Sequence, residues 1–254
     1  KEEDDAEIEE AYRYVVSKGV NWFDTADSYG TGALSGRAET LLGKFSSSDK
    51  KNRVNFATKL APYPWRIGVE SMKNAYEDSA TRLGRDADIL QLHWPPAASN
   101  LNLQEANYLK AFHELMVEQG RPTQLGVSNY GPKNLRRICK LVDGLNDPQK
   151  KSGPKQIRSR IASNQVQFSL LSRYPLQTGL EETCEELDVQ LIGYSPLALG
   201  LLTDKVRIVC LDVILGLHLF LRHLTFTGFQ RTAFLVYHRG QPAANRSTGY
   251  TLPR

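Results

Sequence analysis

Six short apolar segments of this 254-residue chain each end in a polar or chemically reactive side chain, and they recur at a nearly constant spacing. The six residues are Asp24, Lys59, His93, Ser128, Gln165 and Tyr194, and the gaps between them are 35, 34, 35, 37 and 29 positions. Segments with helical apolar periodicity separate them. Strands that alternate with helices at such a period indicate right-handed βα units and a parallel sheet. Because parallel strands end at one edge of a sheet, we expect the six side chains to meet there.

Apolar periodicity predicts where the individual elements lie. Helices are predicted over residues 6–18, 35–45, 66–83, 104–119, 132–142 and 178–187. Strands are predicted over residues 20–24, 54–59, 87–92, 123–127, 161–166 and 189–193. The segment 143–160 is polar and rich in Lys, Gly and Pro, so we expect a surface insertion there. Its positive charges favour a solvated loop over a phosphate site.

The position of the polar residues bears on the choice between two α/β architectures. In every unit the polar group falls at the C-terminal end of the strand, which favours a (β/α)₈ TIM-type barrel. The alternative is a doubly wound sheet, which would place a Gly-rich phosphate loop after its first strand. No G-x-G-x-x-G sequence opens any of the predicted helices. Since about six units can be counted, we expect the barrel to be incomplete.

Composition and charge argue against several other classes of protein. The net charge is +4 and no basic stripe alternates with aromatic residues, so nucleic-acid binding is not expected. The three cysteines (Cys139, Cys184 and Cys210) are odd in number and widely spaced, which favours core thiols in a reducing compartment. The histidines at positions 218, 223 and 238 have no Cys or carboxylate partner at ligand spacing. No metal site is therefore predicted.

Neither end of the sequence is predicted to be a targeting or membrane segment. Residues 1–5 are acidic and continue into a predicted helix, without a secretory or transit signal. Residues 206–226 are strongly apolar, but Arg207 and Asp212 interrupt them. The uninterrupted run is shorter than the ~20 apolar residues of a membrane span. We therefore expect a soluble protein without a membrane span.

Six short motifs occur in order along the chain. They are Phe23-Asp24-Thr25-Ala26 with Tyr29-Gly30, Ala57-Thr58-Lys59, Leu92-His93-Trp94-Pro95, Gly126-Val127-Ser128-Asn129, Asn164-Gln165 and Tyr194-Ser195-Pro196-Leu197. Together they resemble the aldo-keto reductases, and the similarity is greatest to the plastid-type enzymes of plants. The resemblance runs from about residue 5 to residue 203. Each motif alone is weak evidence, whereas six in sequence with family-like spacing are specific.

The resemblance implies a set of catalytic residues. Reduction of a carbonyl needs a hydride at carbon and a proton at oxygen, and a phenol with a pKa of about 10 is a weak acid near neutrality. By resemblance, Tyr29 donates the proton, and the ammonium group of Lys59 lowers the pKa of that phenol. Asp24 holds Lys59 in place, and His93 orients the substrate carbonyl.

The resemblance also implies that the cofactor is NADP(H) and that the partner is a small-molecule carbonyl substrate. Ser128, Asn129 and Gln165 would hydrogen-bond the nicotinamide carboxamide. Tyr194 would stack on the nicotinamide ring. The loop that covers the pyrophosphate would contain Ser195, Pro196, Leu197, Gly200 and Leu201.

The chain departs from the family pattern at both ends. The family's first barrel strand would lie before residue 1, and after Asp204 the eighth strand and the helix that binds the 2′-phosphate are not recognisable. We therefore predict a barrel over residues 1–205 and an atypical tail over residues 206–254. Replacement of the missing unit by a tail helix (206–221) and strand (224–229) is the less favoured alternative, because a foreign segment would have to supply matched packing.

The expected function is reduction of an aldehyde or ketone to an alcohol by hydride transfer from NADPH. Two alternatives stay open. One is a nucleotide-binding regulatory or scaffold subunit without turnover, and the other is a nonfunctional truncated product. The resemblance implies a chloroplast protein, with the cytoplasm as the alternative.

Overall fold

The computed structural model describes residues 2–30, 35–49, 51–96, 102–146 and 158–203. Its helices are α1 (Glu2–Ser17), α2 (Arg37–Ser48), α3 (Gly68–Leu83), α4 (Asn102–Gln119), α5 (Pro132–Leu145), α6 (Tyr174–Gln177) and α7 (Leu180–Glu186). Its strands are β1 (Trp22–Asp24), β2 (Asn55–Leu60), β3 (Ile89–Leu92), β4 (Gln124–Ser128), β5 (Ile161–Gln167) and β6 (Gln190–Tyr194). A 3₁₀ turn, Ala198–Gly200, follows β6.

The six strands form one parallel sheet in the order in which they occur in the chain. The register places Lys59 opposite Gln91 and Ser128 opposite Gln165. The strand order does not reverse anywhere among the described strands, so the sheet has no topological switch point and the doubly wound alternative is wrong. The six predicted strands are confirmed, and the described residues form an incomplete barrel of (β/α)₈ type, as expected.

Side chains alternate between the two faces of each strand, and the two faces have different roles. Leu60 of β2 and Leu90 and Leu92 of β3 belong to the apolar core between the sheet and the helices, and all three are fully buried. Lys59 and Gln91 are each one position away from one of these leucines, so their side chains lie on the other face of the sheet. Both hydrogen-bond a carboxylate of β1 on the opposite face. The same strands therefore carry the core on one face and polar groups on the other.

Close helix packing fixes the strands in place. The ring of Tyr12 in α1 packs against Phe23 of β1 and Phe45 of α2, with centroid distances of 4.9 Å and 5.7 Å. Helix α2 approaches α3 at Gly43, where a Cβ atom would lie 2.6 Å from the carbonyl oxygen of Arg82. Only glycine allows this approach without displacing backbone. The helices thereby hold the strand ends in a fixed arrangement.

Several boundaries differ from the sequence predictions. Helix α5 continues to Leu145, into the segment predicted as an insertion, and the short helix α6 was not predicted. The rest of that insertion, over residues 147–157, and the predicted tail over residues 206–254 lie outside the described residues. Within the described part of the chain, no helix is long and apolar enough to cross a membrane.

Candidate active site

The loop after β1 places a tyrosine beside the end of β2. The backbone leaves the strand at Asp24 and continues to follow β2, because the amide of Asp27 donates to the carbonyl oxygen of Lys59 (3.0 Å). A turn then closes with a 3.1 Å hydrogen bond from the amide of Tyr29 to the carbonyl oxygen of Ala26. Tyr29 therefore lies over the end of β2, although its own strand ended five residues before.

Lys59 and Asp24 form an ion pair that is almost completely removed from solvent, with side chains 1% and 7% exposed. Burial raises the pKa of the Asp24 carboxyl group and lowers the pKa of the Lys59 ammonium group, while their mutual attraction opposes both shifts. The other oxygen of Asp24 accepts amide N–H groups from Gln91 (3.1 Å) and Gln165 (2.8 Å). Three donors thus fix the carboxylate, and the carboxylate fixes Lys59. Gln91 was not predicted as a site residue.

Tyr29 stands above this pair. The Nζ atom of Lys59 lies 4.9 Å from the centroid of the Tyr29 ring, and the His93 ring meets that ring edge-on at 5.6 Å. The sequence predicts a lowered phenol pKa, but the structure gives the opposite direction. Burial, followed by the negative charge of Asp24, raises the pKa of Tyr29. The phenol consequently carries its proton in this structure.

His93 is neutral in its surroundings. Burial, followed by the positive charge of Lys59, lowers the pKa of His93 to about 3. The Oγ atom of Ser28 lies 3.3 Å from its Nδ1 atom. A neutral imidazole has one N–H donor and one acceptor nitrogen, so it can form a directed hydrogen bond to a carbonyl group.

A cavity of ≈ 320 Å³ opens at the ends of the strands, next to Tyr29 and His93. Its lining residues are Ser28, Tyr29, His93, Trp94, Ser128, Asn129, Gln165, Tyr194, Ser195 and Leu199. The sequence assigned no individual role to Ser28, Trp94 or Leu199. Position in the chain was a usable signal for each of them, because Ser28 precedes Tyr29, Trp94 belongs to the motif that contains His93, and Leu199 lies within the loop of residues 195–201.

One wall of the cavity is a network of amide and hydroxyl groups. The side-chain amide of Asn129 donates to Ser128 Oγ (3.1 Å) and to the carbonyl oxygen of His93 (3.3 Å). Its oxygen accepts the hydroxyl of Tyr194 (3.0 Å), and Ser128 Oγ donates to the carbonyl oxygen of Gln165 (2.9 Å). Amide and hydroxyl groups beside an aromatic ring fit a planar ring that carries a carboxamide, as in nicotinamide.

The remaining predicted cofactor residues lie on the loop after β6. Ser195 and Leu199 have positive φ angles of 52° and 58° and both line the cavity. The other four predicted residues of the loop, Pro196, Leu197, Gly200 and Leu201, do not line it. No Lys or Arg lines the cavity among the described residues. In the described ranges, no group of three His, Cys, Asp or Glu side chains could hold a metal ion.

The chain belongs to the aldo/keto reductase family, whose sequence profile matches residues 1–208. A chloroplastic pyridoxal reductase of Arabidopsis thaliana is 42% identical over 207 residues, which cover 79% of this chain and 53% of the relative. A probable pyridoxal reductase 2 of Schizosaccharomyces pombe is 25% identical over 213 residues, which cover 78% of this chain and 55% of that protein. The chain thus spans about half the length of the curated relatives it matches.

Solved structures agree with this assignment. The crystal structure of a thermostable aldo-keto reductase in complex with the inhibitor epalrestat superimposes with a TM-score of 0.62 at 27% identity. The match covers 84% of this chain and 69% of that protein. The family resemblance of the six motifs is thereby confirmed, and so is the fold class.

Proposed function

We propose that this chain carries the catalytic centre of an NADPH-dependent reductase that converts an aldehyde or ketone to an alcohol, with Tyr29 as proton donor. The observation that carries the proposal is the buried Lys59–Asp24 pair directly beneath Tyr29, and Tyr29 lines the same cavity as His93. A buried ion pair under a phenol has a chemical use when that phenol must lose a proton during the reaction.

The protein's own groups bind the substrate carbonyl and supply the proton. NADPH, when bound, supplies the hydride that adds to the carbonyl carbon. The neutral imidazole of His93 holds the carbonyl oxygen beside the hydroxyl of Tyr29. As negative charge develops on that oxygen, the phenolic O–H bond breaks and the proton moves to the oxygen, which completes the alcohol.

The raised pKa of Tyr29 is compatible with this role. Burial keeps the proton on the phenol until a stronger base, the developing alkoxide, lies beside it. The ammonium group of Lys59 then stabilises the phenolate, at 4.9 Å from the ring centroid. Asp24 keeps the ammonium group in position between turnovers.

The cofactor-binding wall is proposed to comprise Ser128, Asn129, Gln165 and Tyr194, with the loop of residues 195–201 beside it. Two relatives are named as pyridoxal reductases, so pyridoxal, an aromatic aldehyde, is the first substrate to test. The aromatic rings of Tyr29, Trp94 and Tyr194 in the cavity lining suit a planar ring. The chloroplastic relative makes the chloroplast the proposed location, with the cytoplasm as the alternative.

The proposal is tested by measuring NADPH binding and pyridoxal reduction in the wild-type chain and in Tyr29→Phe. The variant removes only the hydroxyl group, and loss of a general acid costs at least about 100-fold in turnover. NADPH affinity should stay unchanged. Tyr76→Phe is the matched control, because it removes another buried hydroxyl, 3.3 Å from Asp86 and outside the cavity lining.

The outcomes separate the alternatives. Unchanged turnover in Tyr29→Phe would contradict the assignment of the proton donor. A wild-type chain that binds NADPH without reducing pyridoxal or simple aldehydes would favour a regulatory or scaffold subunit. A chain that neither binds NADPH nor unfolds cooperatively would favour a nonfunctional truncated product.

A further inference from the structure

A buried ion pair joins the loop that carries Tyr29 to the loop that follows Lys59. Asp27, two positions before Tyr29, has a side chain only 2% exposed, and it pairs with Nη1 of Arg66 in the loop between β2 and α3. The same Nη1 atom donates to the carbonyl oxygen of Ala61 (2.7 Å). The amide of Ala61 in turn lies 3.3 Å from each Asp27 carboxylate oxygen. These contacts close a ring of hydrogen bonds between the two loops.

Two tyrosines also hold Arg66 in place, one at its side chain and one at its main chain. Its guanidinium carbon lies 5.1 Å from the ring centroid of Tyr63, and its carbonyl oxygen accepts the hydroxyl of Tyr108 in α4. The side chain of Arg66 is 16% exposed, and the residue does not line the cavity. Arg66 is therefore fixed to the barrel without being placed to touch a substrate or a cofactor.

Asp27 uses both its side chain and its main chain to hold the end of β2. Its carboxylate binds the amide of Ala61, and its own amide donates to the carbonyl oxygen of Lys59 (3.0 Å). We propose that Arg66 and Asp27 are positioning residues that set where the Tyr29 hydroxyl lies relative to Lys59. This inference rests on the proposed roles of Tyr29 and Lys59 in proton transfer.

The opposite end of the same strands provides a matched control. Arg85 donates to the carboxylate of Asp88 (3.1 Å) and to the carbonyl oxygen of Val54 (2.6 Å). Asp88 accepts the amide of Phe56 (2.9 Å), and the guanidinium carbon of Arg85 lies 4.5 Å from the Phe56 ring centroid. Arg85 and Arg66 thus make the same kinds of contact, but Arg85 makes them where β2 and β3 begin, away from the site.

The first measurement compares Arg66→Met, Arg66→Lys and Arg85→Met in the full 254-residue chain, with NADPH and pyridoxal as the probes. Both Met variants should lower the unfolding temperature, because each leaves an aspartate without its arginine. Only Arg66→Met should lower kcat, by roughly 10- to 100-fold, since a misplacement of about 1 Å costs about 100-fold. The dissociation constant of NADPH and the KM of pyridoxal should not change. Arg66→Lys, which keeps a cationic donor, should recover most of the lost kcat.

The second measurement, hydrogen exchange of backbone amides, does not depend on turnover. Arg66→Met should accelerate exchange at the amides of Asp27 and Ala61, whereas Arg85→Met should accelerate it at Phe56. If Arg66→Met does not fold, the double variant Asp27→Asn/Arg66→Met takes its place, because it leaves no buried unpaired charge.

Three results would overturn the inference: unchanged kcat in Arg66→Met, an equal loss of kcat in Arg85→Met, or unchanged exchange at Asp27 in Arg66→Met. A wild-type chain that reduces nothing would refute the proposed function, and the exchange result would then decide by itself whether the ion pair holds the loop that carries Tyr29.

Discussion

Replacing Lys59 with methionine tests the buried ion pair directly. The substitution keeps most of the side-chain volume and removes the charge that faces Asp24. The carboxylate of Asp24, only 7% exposed, would then keep its two amide donors, Gln91 and Gln165, but lose its cation. Removing one partner of a buried ion pair costs about 3–5 kcal/mol, a large part of the 5–15 kcal/mol that stabilises a typical domain.

Urea unfolding is the appropriate assay. With an m-value of about 2 kcal/mol/M, a loss of about 4 kcal/mol lowers the urea midpoint by about 2 M. The double variant Asp24→Asn/Lys59→Met should recover most of this loss, because it leaves no unpaired charge. The asparagine side chain of that variant is uncharged, yet its carbonyl oxygen would still accept the glutamine amides.

The pH dependence of the loss has a definite sign. Burial already raises the pKa of Asp24 above 3.8, and removing Lys59 raises it further. A carboxyl group whose pKa is raised in the folded state does not lower the free energy of unfolding when the pH is below its pKa in the unfolded chain. As the pH rises from there toward its pKa in the folded state, it destabilises the fold increasingly. The effect of Lys59→Met should therefore be small near pH 4 and large at neutral pH. A loss below about 1 kcal/mol at neutral pH, or one independent of pH, would refute the reasoning.

Two further predictions concern the neighbourhood of the pair. The proton resonances of His93 should show no titration between about pH 5 and pH 8, because its pKa is lowered to about 3; a transition near 6.5 in NMR spectra would contradict this. Gly126→Ala should lower stability by about 1–3 kcal/mol, because a Cβ atom there would lie 2.4 Å from Ser163 Oγ and 2.9 Å from Gln91 Cγ. Gly144→Ala is its control, since no described atom beyond its chain neighbours and the backbone of its own helix lies within 4 Å of the added Cβ; equal unfolding temperatures for the two variants would be the contrary result.

The sequence was most informative about the strand ends. Short apolar runs that stop at Asp24, Lys59 and His93, about one βα unit apart, predicted both the parallel order and the meeting of these side chains. Periodicity predicts such features because burial of one face of a strand leaves a repeating pattern in the chain. The family motifs then gave each of these residues a chemical role.

Features that depend on three-dimensional packing could not be predicted in this way. Gln91 lies inside an apolar strand, and its bond to Asp24 follows from the sheet register, which the sequence does not display. The expected pKa shift of Tyr29 had the wrong sign, because burial and the negative charge of Asp24 both raise that pKa. Arg66 was predicted to begin a helix, but it lies in the loop before α3, and nothing in the sequence linked it to Asp27.

The consecutive order of the strands also has a consequence for folding of the protein during its synthesis on the ribosome. Among the described strands, pairing occurs only between strands that are consecutive in the chain, so a typical pairing joins residues about 35 positions apart, as Leu90 and Leu125 do. Loop closure over such a length adds little entropic cost at each step, and domains assemble from the N-terminus during synthesis. The ion pair between Asp24 and Lys59 can consequently form as soon as the second strand docks. The proton-donating half of the site would then exist before the ribosome has synthesised the residues proposed to hold the nucleotide.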